Sequence, residues 1–159
     1  MTTDYIYAGG SVKQKGVKYL KSSLNKVSES DIYDGIIFAI TEDTDYIYCG
    51  GSGYPVPQIW KIRKSDMVKV DEIDCGSPVK SLVNDKKYLY AGYDIGKIWK
   101  IRKSDMSKIG EITIGDGIYR INSIAEDTDY MYCNNEVSPK YNIWKIHKSD
   151  MTKVGENDN

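Results

Sequence analysis

The sequence predicts an all-β fold made from one repeated unit of four short antiparallel strands. Three observations predict it: a self-similarity with a step near 42 residues, a period-two alternation inside each repeat, and polar turn-formers between the alternating stretches. The first Tyr of a Tyr-x-Tyr element falls at 5, 46, 88 and 130, steps of 41, 42 and 42 residues. Around it the chain reads DYIYAGG from Asp4, DYIYCGG from Asp45, KYLYAGY from Lys87 and DYMYCNN from Asp129.

Each repeat divides into segments A to D. Segment A reads IIFAI, PVKSLV and RINSIA, with Ile40, Leu82 and Ile124 spaced by 42. Segment B is the Tyr-x-Tyr stretch. Segment C reads IWKI from Ile59, Ile98 and Ile143, with a worn copy, GVKYLKSSLNKV, from Gly16. Segment D reads VKVDEI, SKIGEI and TKVGE. Trp60 and Ile62 share one side while Lys61 faces away, which is strand periodicity in residues that favour strands. Glu-Asp-Thr-Asp joins A to B and Lys-Ser-Asp-Met joins C to D, each rich in residues that close turns with their own side chains.

Four antiparallel strands recurring every 40 to 45 residues is the arithmetic of β-propeller blades. The unit YIYCGG…QIWKIRKSDMVKVDEIDCGSPVKSLVND resembles propeller blades of the YVTN and PQQ-like kind over nearly the whole chain. The resemblance implies the blade frame and no cofactor-binding residue, because such blades serve enzymes, scaffolds and binding modules alike. The expected organisation is a single domain over 1–159, with blades at about 1–34, 35–76, 77–117 and 118–159 and strand A missing from the first. Three closures fit: a small ring of four blades, a ring of about eight blades made by a homodimer, or a fragment of a longer gene. The need of one chain to cover its own edges favours the four-blade ring.

Composition excludes several function classes. The 159 residues carry 22 Lys+Arg and 23 Asp+Glu, a net charge of −1, which gives no bulk field for nucleic acid or anionic lipid. No apolar run approaches the roughly 20 residues of a membrane helix, and MTTDYIYAGG has no basic-then-apolar signal pattern. Cys49, Cys75 and Cys133 lack metal-ligand spacing and read as small buried residues, which favours a reducing compartment. His147 stands where sister repeats have Arg63 and Arg102, a solvated basic position. The clusters at Glu42–Asp45 and Glu126–Asp129 tempt a calcium reading, but the third repeat has Asn84-Asp85-Lys86-Lys87 there, so turn capping is expected. No catalytic residue, metal site or cofactor is expected.

The repeats supply their own comparison. A–B and C–D turns are nearly constant, whereas the B–C loops (GGSGYPVPQ, GYDIGK, NNEVSPKYN) and D–A loops diverge. Loops that change on a constant frame suit recognition. Tyr is used 14 times and Phe once, so rings with a polar tip are wanted. Eight Tyr belong to the Tyr-x-Tyr frame; Tyr33, Tyr54, Tyr93, Tyr119 and Tyr141 fall in B–C or D–A connections, with Asp94 beside them. Lys80, Arg120 and Asn122 on strand A are expected to line the central opening. The expected function is a non-enzymatic propeller that binds a partner, a protein, through that face. The alternatives are a structural subunit of a virus or phage particle, and a lyase-type or sugar-binding site at the opening with Lys80 and Arg120 as anion ligands.

Overall fold

The computed structural model describes residues 4–10, 15–30, 35–115, 117, 119–137 and 140–157, with the backbone alone at 135–137 and at 140–141. Four antiparallel sheets follow one another along the chain. The first has three strands, β1 (Tyr5–Ala8), β2 (Val17–Leu20) and β3 (Lys26–Glu29). The second runs β4 (Gly35–Glu42), β5 (Tyr46–Gly53), β6 (Gln58–Arg63) and β7 (Lys69–Asp74). The third runs β8 (Val79–Asn84), β9 (Tyr88–Tyr93), β10 (Lys97–Arg102) and β11 (Ser107–Thr113). The fourth runs β12 (Ile121–Glu126), β13 (Tyr130–Val137), β14 (Lys140–His147) and β15 (Thr152–Asn157). Each sheet is a meander in chain order, the A-B-C-D unit, and among the described residues the first shows only B, C and D. These are propeller blades, and the all-β fold is as the repeat predicts.

Strands β4, β8 and β12 lie side by side and form the inner edge of blades 2 to 4. One apolar cluster fills each junction. Between blades 1 and 2 Tyr7 packs with Ile37, Ile47, Cys49, Trp60 and Met67. Between blades 2 and 3 the cluster includes Tyr48, Ile59, Leu82, Leu89, Ile101 and Met106. Between blades 3 and 4 it includes Tyr90, Ile98, Ile121, Met131, Trp144 and Met151. Blades 2 and 3 therefore bury Tyr and Ile on the face toward the successor, and blades 2 to 4 bury Ile, Trp and Met on the face toward the predecessor. Among the described residues no fourth cluster joins the last blade to the first. The described residues form an open arc rather than the single-chain ring favoured from the sequence.

The C–D turns explain a recurrent Met. Met67, Met106 and Met151 take positive φ of 61°, 50° and 61°, a region usually left to Gly or Asn, and Leu24 matches them at 55°. A register shift follows in every C–D pair, between Lys18/Tyr19, Lys61/Ile62, Lys100/Ile101 and Lys145/Ile146. The bulge turns the Met side chain into the junction, where Met67, Met106 and Met151 are all buried. That burial offsets a backbone cost of about 1 kcal/mol or more.

Candidate functional site: the loop rim and the blade junctions

Of the residues expected to bind, the structure describes most and brings few together. Tyr54 stands in the β5–β6 connection with 78% of its surface exposed. Asp94 is half-buried in the β9–β10 turn, its N–H donating to the Pro78 carbonyl at 3.3 Å, so a B–C turn is tied to a D–A link. Its Oδ1 is buried with no hydrogen-bond partner. Tyr119 is half-buried, and Arg120 and Asn122 are exposed at the inner edge. Lys80 is half-buried, with its Nζ 3.8 Å from the centre of the Phe38 ring. Phe38, Lys80 and Asn122 each sit at the register shift of their A strand, which swings them away from the junctions. Tyr33 lies outside the described residues.

Two placements correct the sequence reading. Tyr93 is not in a loop: it is the last residue of β9, 1% exposed, in the cluster with Cys75 and Val79. Its ring is tilted 53° against Trp99 with centroids 5.0 Å apart. The pleat of β9 puts Tyr93 on the same face as Ala91, which looks into the junction with blade 2. Tyr141 falls within β14 and pairs with Glu136, because β13 and β14 stay in register as far as Val137 and Lys140; its side chain lies outside the described residues. The stretch NNEVSPKYN is therefore mostly hairpin strand.

The constant rim carries the denser chemistry. Asp43 Oδ1 accepts from the N–H groups of Asp45 and Tyr46 at 3.1 and 2.9 Å, and its Oδ2 accepts from the Tyr48 hydroxyl at 2.9 Å. Asp85 repeats this with Lys87, Tyr88 and Tyr90, and Asp127 with Asp129, Tyr130 and Tyr132. The second Tyr of the pair in blades 2 to 4 therefore uses its hydroxyl, which Phe cannot supply. Lys103 Nζ from blade 3 reaches Asp43 Oδ2 of blade 2 at 2.8 Å, and Lys148 from blade 4 reaches Asp85 Oδ2 of blade 3 at 3.3 Å. Each of these lysines also holds its own A–B turn: Lys103 through the Asp85 carbonyl at 2.9 Å, Lys148 through the Asp127 carbonyl at 2.8 Å and through Glu126.

Burial works against the Asp43 and Asp85 carboxylates, but lysine, hydroxyl and backbone donors outweigh it and hold both below the usual Asp value. At Asp127 the backbone N–H groups of Tyr130 and Asp129 have the same effect. For Tyr48 and Tyr90, burial and then the adjacent carboxylate push the phenol above its usual range. Burial pushes the thiols of Cys49 and Cys133 up to about 12 and Cys75 up to about 11, which leaves them as unreactive packing groups at neutral pH. His147 Nδ1 lies 2.7 Å from Ser149 Oγ, and its ring stands edge-on to Tyr130, so it belongs to its own turn.

Open polar clefts lie over the junctions on this rim. The one between blades 2 and 3 has a volume of 590 Å³ and is lined by Asp43, Tyr46, Lys61, Asp85 and Lys103 among others. Its counterpart between blades 3 and 4 measures 520 Å³. From the sequence these turns read as caps alone, without the lysine that ties neighbouring blades. The signal was present: Lys64, Lys103 and Lys148 recur at one position, and Asp43, Asp85 and Asp127 at another. Among the described residues no group of His, Cys, Asp and Glu is arranged to hold a metal ion.

The arc of blades places the chain among β-propellers. A scan against protein-family models found no match, and no curated protein matches the chain. Its fold matches solved structures, among them a crystal structure of the computationally designed protein Ika8, with a TM-score of 0.82 and 9% sequence identity. That match covers 100% of this chain and 48% of the designed one, so the chain spans about half the length of the propeller-like protein it resembles. At that identity the likeness is one of fold alone.

Proposed function

We propose that the chain is a non-enzymatic binding and scaffold module that works as half of a larger propeller, two copies completing a ring of about eight blades. One observation carries the reading: positions sealed inside every junction lie open at the two ends of the arc. Ile143 is 50% exposed, whereas its equivalents Ile59 and Ile98 are at 0%. At the other end Leu24 is 64% exposed, whereas Met67 is at 1%. Ile6 is likewise exposed where Ile47, Leu89 and Met131 are fully buried. Soluble proteins rarely leave such contiguous apolar faces uncovered, and here each end offers what the other needs. The completed ring would present the divergent B–C and D–A loops, with Tyr54, Asp94, Tyr119, Arg120 and Asn122, to a protein partner. Light scattering on the purified chain tests the assembly: a particle of twice the 18.0 kDa chain mass is expected, and a stable particle at the single-chain mass overturns it.

A further inference from the structure

We propose that the two copies join head to tail, with Lys21 in the first blade of one copy closing on Asp127 in the last blade of the other. This rests on the two-copy reading above and gives it a direction and a chemistry.

The internal junctions supply the pattern. The C–D-turn lysine of the following blade pairs with the A–B-turn Asp of the preceding blade, as in Lys103–Asp43 and Lys148–Asp85. The same ammonium stands over the second Tyr ring of the preceding blade: Lys64 over Tyr7, Lys103 over Tyr48 and Lys148 over Tyr90, at 5.4, 5.7 and 5.5 Å. In return the strand-C lysine of the preceding blade donates to the main-chain carbonyl of that same turn lysine. Lys18 reaches the Lys64 carbonyl at 3.0 Å, Lys61 that of Lys103 at 2.7 Å and Lys100 that of Lys148 at 2.5 Å.

Each end of the arc holds one half of this set. Blade 4 presents the preceding half: Asp127 with Tyr132 bonded to it, and Lys145 stacked on Tyr130 at 3.8 Å. Blade 1 presents the following half, because Lys21 occupies the position of Lys64, Lys103 and Lys148. Its turn is built the same way. The Lys21 N–H donates to the Asp4 carbonyl, as Lys64 does to Asp45, Lys103 to Lys87 and Lys148 to Asp129. The apolar halves follow suit, Tyr132 and Ile143 at one end and Ile6 and Leu24 at the other. Two copies then form two identical seams and close, with no face left over.

A single position selects blade 1 as the occupant rather than an additional complete blade. In blades 2 and 3 the residue after Tyr-x-Tyr-Cys/Ala is Gly. A Cβ at Gly50 would stand 2.8 Å from Val79 Cγ1, and one at Gly92 would stand 2.6 Å from Ile121 Cγ2. Both contacts are with the inner strand of the following blade. In blade 4 the same register position is Asn134, whose Oδ1 is buried without a partner. A blade whose inner strand stood as β8 and β12 do would collide with that side chain. The described strands of blade 1 are three, none of them an inner strand, which leaves the Asn its space.

Charge reversal with mixing tests the seam. Lys21→Asp alone and Asp127→Lys alone each place like charges at both seams, and each should weaken the dimer at least about tenfold in analytical ultracentrifugation. An equimolar mixture of the two should recover wild-type strength, because both seams of the mixed dimer then pair opposite charges. A Lys21→Asp dimer as tight as wild type, or folded variants whose mixture recovers nothing, overturns the latch. Asp127 also caps its turn, so circular dichroism accompanies each variant. Should Asp127→Lys fail to fold, Asp127→Asn keeps an acceptor for the turn and enters a cycle with Lys21→Met. Lys21→Met weakening the dimer only when Asp127 is intact supports the latch, and equal weakening in both backgrounds overturns it. A wild-type chain that stays monomeric removes the two-copy reading itself; a dimer indifferent to these variants removes the latch alone.

Discussion

Tyr54 and Tyr93 both fall near the B–C ends of their blades, and a scan of the sequence puts them in one class. Tyr54 stands in a loop among Gly and Pro, 78% exposed, while Tyr93 closes β9 and is 1% exposed against Trp99 and Cys75. The difference is that between the loops and the junctions of the whole molecule. At the junctions the same residues recur in the same geometry because each blade must fit the next: Asp43 with Lys103, then Asp85 with Lys148. At the loop rim nothing recurs, because no neighbouring blade constrains it. Stability belongs to the junctions, and freedom to change belongs to the rim.

The largest effect that sharpens this contrast is expected at Tyr93. Tyr93→Ala empties a site between blades 2 and 3 that cannot readily collapse between two sheets. It should lower the stability of the chain by about 3 kcal/mol or more, the usual range for a buried aromatic cut to Ala. Urea denaturation followed by fluorescence measures it. A loss below about 1 kcal/mol would mean that Tyr93 behaves as a rim residue and that the contrast is wrong.

A smaller effect is expected at the polar tie. Asp85→Asn keeps an acceptor for the Lys87 and Tyr88 N–H groups but removes the charge that faces Lys148. The pair is partly exposed, so the cost at neutral pH should be about 1–2 kcal/mol, below the range for fully buried pairs. Its pH dependence has a definite sign. The Asp85 carboxyl is held below its unfolded value of about 3.9, so its contribution is complete above that pH and is lost as pH falls through the folded value. The stability of the wild type should therefore fall more steeply than that of Asp85→Asn below about pH 4. Parallel acid titrations by circular dichroism check this, and identical slopes would contradict the tie.

The blade frame was legible because its cause is local and periodic. Alternation, turn caps and the 42-residue step all report strands and hairpins; the strand ends agree to within about two residues except at the B–C hairpins, where β5 runs on to Gly53, β13 to Val137, and β14 begins at Lys140. The Asp cap of each A–B turn was legible for the same reason, and so was the packing role of Cys49 and Cys133. What the sequence hid was contact between repeats. Lys103 and Asp43 lie 60 positions apart, and nothing in either segment says that a turn of one blade overhangs the turn of its predecessor. Tyr93 reads as a loop residue in the sequence because B strands end at different points: β9 stops at Tyr93, while β13 runs on to Val137 and takes Tyr141 into its hairpin. Closure is not legible in the sequence because it depends on the angle between blades, which no single repeat encodes.

The smallest effect is expected where the rim is most open. Tyr54→Ala removes a large ring that touches solvent over most of its surface, so its transfer from unfolded to folded chain changes little. Its stability should stay within about 0.5 kcal/mol of wild type in the same urea experiment that exposes Tyr93→Ala. The particle mass should also be unchanged, because Tyr54 is remote from both Lys21 and Asp127 on the constant rim. A Tyr54→Ala chain that unfolds early would place the β5–β6 loop in the frame. The rim would then lose its claim to be the variable surface, since a residue that holds the fold is not free to be exchanged for recognition.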